Sequence, residues 1–261
     1  MEGALDRPRD PLPTRVEDVP SLPPAYDKVL DAGLASMGLE LEPAAREAID
    51  GHVRLLLAWT VAINLTAIRE PAEVARLHVL DSLAAVPHLR RLGIGRILDI
   101  GSGGGFPGLP LAIGLEADRT VLVDSVGKKV RFLRTVIEAT GLGHRVAAEA
   151  VRVEAVAHDA RDRGAWPAVT ARAVSSLAEL VEIGLPLVAP GGVLVAWKGA
   201  SLEAELEGAA GALAALRAGP VQVLRSEVPG LETRRLVIVP RGGPIDARFP
   251  RDAAERRRWP L

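Results

Sequence analysis

The sequence predicts an α/β protein, an open parallel sheet covered by helices on both faces and preceded by a helical extension. Three observations carry this. From residue 96 onward, short apolar and β-branched runs alternate with helical segments, as expected of strands buried on both faces. Residues 24–92 show helix punctuation and no comparable strand runs. A glycine-rich turn at 101–108 follows the first strand and opens a helix, the position where such sheets bind their ligands.

The elements follow in order. MEGALDRPRDPLPTRVEDVP mixes charges with prolines and holds no apolar run, so 1–22 reads as a disordered leader and not as a secretory signal. The helical extension is 23–92. Pro43 fits the first turn of a helix running to Trp59, and Pro71 the first turn of another. The ligand-binding domain is 93–240. Its strands are RILDI, TVLVD, AVTARAV, GVLVAW and RRLVIVP, and its helices fall at 108–115, 127–140, 176–188 and 200–217. Residues 241–261 form a basic tail.

Composition bounds the chemistry. Of 261 residues, 48% are hydrophobic and only 3% aromatic, so the core is built of Leu, Val, Ile and Ala. The absence of cysteine excludes disulfides, thiolate zinc sites and a cysteine nucleophile. Every long apolar stretch is interrupted by a charge, Asn, Pro or Gly, so no membrane span is expected and the chain reads as soluble and cytoplasmic. A monomer is expected, although no feature of the sequence fixes the oligomeric state. The net charge of −1 hides an asymmetry. Residues 1–50 hold eleven acids and five bases, whereas 234–258 hold eight arginines and three acids, a balance of +5. That end suits a phosphate-rich partner or a solvated face.

The glycine turn carries the chemistry. Gly103, Gly105 and Gly108 satisfy the dinucleotide spacing G-x-G-x-x-G, but Asp99 sits before them, and a carboxylate at the lip of the loop repels a pyrophosphate. It suits a ligand bearing a cation. Asp99, Gly101, Gly103 and Gly105 spell D-x-G-x-G-x-G, which resembles the first motif of methyltransferases that use S-adenosylmethionine, a cofactor with a sulfonium and no phosphate. Asp124 ends the next strand, where a carboxylate accepts ribose hydroxyls, or else caps the helix beginning near Gly127. A dehydrogenase would use Asp124 in the same way.

Several further stretches make the resemblance specific. INLTAI (63–68), HVLDSL (78–83), LDIGSGGGFPGLPLA (98–112), VDSVGKKVRFL (123–133), VRVE (151–154), ARAV (171–174), WKG (197–199) and RRLVIV (234–239) occur in this order. Together, over about residues 25–240, they resemble the small-subunit ribosomal RNA guanine-N7 methyltransferase family, also called glucose-inhibited division protein B. The resemblance implies a Rossmann-like class I methyltransferase sheet with an N-terminal helical extension and S-adenosyl-L-methionine as cofactor. The partner it implies is 16S ribosomal RNA, met in the small subunit or an assembly intermediate.

Carried over by motif, Gly101 and Phe106 would touch the cofactor beside Asp99, Gly103 and Gly105. Asp124, Ser125 and Val126 would hold the ribose side, Val153 and Glu154 would edge the adenine, and Arg172 would stand at the mouth shared by cofactor and acceptor. The alternative for Arg172 is an ion pair, and Asn64 either faces the acceptor or caps the next turn. His78 and Asp81 share a helix face, which suits a structural pair or a cap better than a metal site. Lys128, Lys129, Arg131 and Arg134 offer a basic helix face, but Lys198, at the end of a strand, is the better RNA candidate.

The tail RFPRDAAERRRWPL departs from the family pattern, which leaves its role between packing and phosphate contact. Transfer to a guanine N7 needs no general base, so Arg172, Asn64 and Lys198 are expected to position the substrate. Two other readings share these motifs, a methyltransferase for another RNA or a small molecule, and a ribosome-assembly factor with a vestigial cofactor site.

Overall fold

The computed structural model describes residues 11–261. Helices α1 (Pro24–Ser36) and α2 (Pro43–Trp59) both begin at proline, where the missing N–H costs no hydrogen bond. Pro71 likewise starts α3 (Pro71–Val74), which runs on through a π-helical stretch, Ala75–Leu80, into α4 (Asp81–Leu83). Helix α5 (Val86–Arg91) leads into the sheet.

The chain then alternates: β1 (Arg96–Ile100), α6 (Gly108–Gly114), β2 (Arg119–Asp124), α7 (Gly127–Ala139), β3 (Val146–Ala150), α8 (Val153–His158), β4 (Trp166–Arg172), α9 (Leu177–Gly184) and β5 (Val188–Lys198). Helices α10 (Leu202–Gly208) and α11 (Ala210–Ala215) precede β6 (Gln222–Arg225), β7 (Arg235–Pro240) and α12 (Ala253–Arg258). The sheet order is β3-β2-β1-β4-β5-β7-β6.

The sheet is mixed, which corrects the parallel expectation. Strands β1 to β5 pair in parallel, but β7 lies antiparallel between β5 and β6. The cause is the connection. A parallel return needs a crossover, and the loop 226–234 is too short for one, so β7 folds straight back on β6. Strands β3 and β6 are additions to the expected set. They are the two edges, and their alanines and exposed polar residues lack the apolar runs that mark the inner strands.

Two cores flank the sheet. One packs α1, α2, α6 and α7 against Ile97, Leu122, Ala168 and Val195, while the other packs α9, α11 and Phe249 against Leu98, Val123, Val169 and Leu194. Strand residues therefore alternate between two buried faces, and this parity decides where each polar side chain goes.

The expected leader falls partly on residues 1–10, outside the described residues. From residue 11 on, the chain is held against α2. The Trp59 indole donates to Pro13 O at 2.7 Å, the Arg54 guanidinium donates to the carbonyls of Val19 and Pro20, and Val19 is buried. The basic tail is docked too. Phe249 is buried, and Arg163 donates to the carbonyls of Asp246 and Phe249. Among the described residues no helix is long and apolar enough to cross a membrane.

Candidate active site

The turn after β1 is stapled to the end of β2. Gly101 N and Ser102 N both donate to Val123 O, at 2.8 and 3.0 Å, and Gly103 N donates to Asp124 Oδ2 at 2.9 Å. Two glycines are required by space as well as by backbone. Gly101 has φ +69°, and a Cβ there would lie 2.6 Å from Val174 Cγ2. Gly105 has φ +91°, and its Cβ would strike Leu109 and His52. Gly101 thus opens a path for a ligand, whereas Gly105 lets the loop pack down on α2 and α6.

Asp99 does not stand at the lip of the loop. The parity of β1 turns it, with Ile97, toward α6, where it is fully buried under the turn. Its Oδ1 accepts from Thr170 Oγ1 at 2.7 Å, and Oδ2 has no hydrogen-bond partner. Burial, opposed by the Thr170 hydroxyl, pushes its pKa up to about 6. Its contribution is to the floor of the loop. Asp124 does face a cavity, and its Oδ1 accepts from Val126 N at 2.8 Å. It caps no helix interior, because the N-cap of α7 is Val126 and has no side-chain bond.

Two cavities, about 590 and 340 Å³, share Gly101, Lys129, Ala173 and Ser175 as common wall. The smaller runs past Asp124, Ser125 and Val126 to Val153 and Glu154, and Val174 also lines it. Sequence reasoning names five of these six residues, and the structure brings them together. Their chemistry fits an adenosine: a carboxylate for the ribose diol, valine walls for a flat ring, and a second carboxylate at the far end.

The larger cavity lies over Gly101–Gly104 and Phe106 and contains Arg172, Lys129, Lys198 and Arg234. Arg172 Nη1 donates to Asp81 Oδ2 at 3.0 Å and to Leu77 O, while Nη2 donates to His78 Nδ1 at 3.0 Å. Arg234 approaches Asp81 Oδ1 from the other side, also at 3.0 Å. An ion pair and a place at the cavity mouth therefore coexist in Arg172. Because arginine only donates, His78 accepts at Nδ1 and carries its proton on Nε2, which donates to Thr66 Oγ1 at 2.7 Å. Burial and the adjacent Arg172 lower its pKa to about 3. His78 and Asp81 are thus both structural, joined through Arg172. Phe106 is stacked between His78 and His52, at centroid distances of 4.9 and 4.5 Å.

The structure separates other candidates. Lys198 is no free cation, since its Nζ donates to Glu205 Oε2 at 2.6 Å and to Ser175 O at 2.8 Å. Asn64 is exposed in the loop 60–70, and its neighbours Leu65 and Ile68, not Asn64, line the cavity. Gly103 borders the larger cavity, but Gly105 borders neither. Of the basic face on α7, Arg134 binds Ala148 O, Arg131 lies over Trp59, Lys128 is exposed and borders neither cavity, and Lys129 lines both. Among the described residues Lys129 makes no ion pair.

The arginine-rich end is also largely spent. Arg234 pairs with Asp81, Arg251 with Glu182, Arg256 with Glu154, and Arg241 binds Val188 O. Of the arginines in this stretch only Arg248, Arg257 and Arg258 are exposed.

Sequence reasoning misses His52, Glu205 and Glu179. His52 Nε2 donates to Gly104 O at 2.7 Å, and burial lowers its pKa to about 4. A histidine on the otherwise apolar buried face of α2 is the one available signal. Glu205 and Glu179 sit on helices with many acids, and nothing local marks them.

A family model described as rRNA small subunit methyltransferase G matches residues 45–235. A ribosomal RNA small subunit methyltransferase G of Roseiflexus castenholzii is 40% identical over 220 residues, covering 83% of this chain and 92% of the relative. The protein of that name from Rubrobacter xylanophilus is 44% identical over 211 residues, covering 79% and 80%. In fold, the chain is similar to an O-methyltransferase from Bacillus cereus solved with SAH, with a TM-score of 0.52 at 16% identity, covering 82% of this chain and 99% of that one.

Proposed function

The chain belongs to the rRNA small subunit methyltransferase G family, and on that premise we propose that it moves a methyl group from S-adenosylmethionine to N7 of a guanine in small-subunit ribosomal RNA. On this reading the smaller cavity takes the adenosine, the methionine part lies along Gly101–Gly103, and the guanine enters the larger cavity beside Phe106 and Arg172. The partner is 16S RNA within the small subunit or its assembly intermediate, met in the cytoplasm.

Each residue has a task. Asp124 accepts the ribose hydroxyls on lone pairs not used by the Gly103 and Val126 amides. Val126, Val153 and Val174 cover the faces of the adenine, and Glu154 accepts from its exocyclic amine. Gly101 keeps the passage between the cavities open. Bound there, the cofactor supplies a methyl group already activated by its sulfonium. Arg172 and Lys129 place positive charge where the acceptor nucleotide arrives, and Arg172 is pre-oriented by Asp81 and His78.

The observation that carries the N7 reading is that, among the described residues, each histidine and carboxylate in or beside the acceptor cavity already has a partner. His78 is bound at both nitrogens, Asp81 is clamped by two arginines, and Glu205 is ion-paired through Oε2 with Lys198. A guanine N7 presents an in-plane lone pair and has no proton to lose. A site that holds the base and removes nothing therefore suits it, whereas an exocyclic amine or a ring N–H would need an acceptor.

The test is transfer from methyl-labelled cofactor to small subunits and to protein-free 16S RNA, followed by digestion and identification of the nucleoside. Label in 7-methylguanosine is the expected result. Label in another nucleoside rejects the N7 assignment, and tight cofactor binding without transfer to either substrate favours an assembly-factor role.

A further inference from the structure

The C-terminal segment reaches the adenosine end of the smaller cavity. Arg256 is 6% exposed. Its Nη2 donates to Glu154 Oε1 at 2.6 Å, its Nε lies 3.5 Å from Glu179 Oε1, and its Nη1 donates to Arg251 O. Arg251 grips the buried Glu182 at both oxygens, each at 2.8 Å, and Asp252 Oδ1 caps α12 by accepting from Ala254 N and Glu255 N, both at 2.8 Å. The segment is therefore anchored beside the arginine that enters the site.

Glu154 and Glu179 are two carboxylates on one cavity rim, and they repel each other unless a cation stands between them. Arg256 is that cation. Burial alone would raise the Glu154 pKa, but the hydrogen bond from Arg256 reverses this and holds the carboxyl below its usual range. Arg256 occupies Oε1, and among the described residues no other side chain donates to Oε2.

Resting on the reading of this cavity as the adenosine site, we propose that Arg256 is a positioning residue for the cofactor: it fixes Glu154 so that Oε2 accepts from the adenine amine, and it makes the C-terminal helix a wall of the pocket. A fixed carboxylate rewards the 6-amino group and repels a 6-oxo group, since two acceptors would then face each other. Arg256 thus contributes to base selection without touching the base, and its loss lets Glu154 turn to solvent.

The test uses the full chain and two probes, S-adenosylhomocysteine and its inosine counterpart, in calorimetric titrations. The unsubstituted protein is expected to prefer the amino form by at least about tenfold, the scale of one charged hydrogen bond. Arg256→Ala is expected to weaken the amino form by about tenfold and to bring the ratio of the two toward one. Glu154→Ala should do the same, and adding Arg256→Ala to it should leave the ratio unchanged. Arg256→Lys, which keeps the charge but not the fork, should give an intermediate ratio and carries the test if Arg256→Ala melts early. An Arg256 variant that folds and keeps the full preference overturns the proposal. If the unsubstituted chain binds neither probe, the adenosine reading of the cavity falls instead.

Discussion

Arg172 donates from Nη2 to His78 Nδ1 across 3.0 Å, and this contact decides which proton the imidazole carries. With Nδ1 accepting and Nε2 donating to Thr66, the ring has neither a free lone pair nor a spare proton. Burial and Arg172 keep its pKa near 3, so it stays neutral across the physiological range. The residue that most resembles a catalytic base is therefore a strut that aims Arg172.

The rate consequence is direct. Methyl transfer in single turnover, with saturating cofactor and RNA, should be nearly flat from about pH 6.5 to 8.5, because no proton transfer has to be matched to pH. His78→Gln should lower the rate by misplacing Arg172 and add no slope. A log-linear rise in the unsubstituted enzyme that disappears in His78→Gln would make His78 a base after all.

Gly101→Ala is expected to abolish tight cofactor binding through a single methyl group. The new Cβ meets Val174 Cγ2 at 2.6 Å and must displace that wall of the smaller cavity, while the backbone at φ +69° adds about 1–2 kcal/mol of strain. Val174→Ala in the same chain removes the collision and should recover much of the affinity for S-adenosylhomocysteine, leaving the stability loss in place. If Val174→Ala recovers nothing, the defect lies in the backbone and not in the collision.

The loop and its ligand are legible in the sequence because their parts are close together: strand, glycines and Asp124 span fewer than thirty positions. The side that Asp99 takes is not legible, for a physical reason. In a strand apolar on both faces, hydrophobic alternation is absent, so the pattern cannot say which face a given side chain takes. The clamp on Asp81 and the His52–Gly104 bond join residues distant in sequence, and no local signal announces them. The tail's charge is plain from its arginines, but its availability is not, because the acids that neutralise it lie on α8 and α9.

The docked tail narrows the search for RNA contacts. Arg257 and Arg258 are exposed, and Lys129 faces both cavities without an ion pair among the described residues. Arg257→Ala with Arg258→Ala should leave cofactor affinity unchanged and reduce the salt slope of RNA binding by about 0.7–0.9 for each phosphate no longer neutralised. Lys129→Ala should weaken RNA binding by a similar step. An unchanged slope in the double variant would move phosphate contact off α12 and onto Arg248 or Lys129 and its surroundings.

Acid stability should show two histidines and one aspartate working against each other. His52 and His78 are held neutral in the fold, with pKa values of about 4 and 3, so below pH 6.5 the unfolded chain takes up protons that the folded one refuses. Their stabilisation is complete above the unfolded value and is lost as pH falls toward the folded values. Asp99 has the opposite sign: its folded pKa of about 6 lies above the unfolded value of 3.8, so between 6 and 3.8 the folded chain holds the extra proton. Near pH 5 the unfolded chain thus binds two more protons at the histidines and one fewer at Asp99. These groups then lower stability by about 1.4 kcal/mol for each unit of acidification. Asp99→Asn removes the opposing proton and should roughly double that loss, to about 2.7 kcal/mol per unit, whereas His52→Gln should nearly flatten it. Urea melts between about pH 4.5 and 7 measure all three slopes. A slope in Asp99→Asn no steeper than in the unsubstituted chain would mean that Asp99 is ionised at pH 5 and that its unpartnered oxygen finds a donor the fold does not hold.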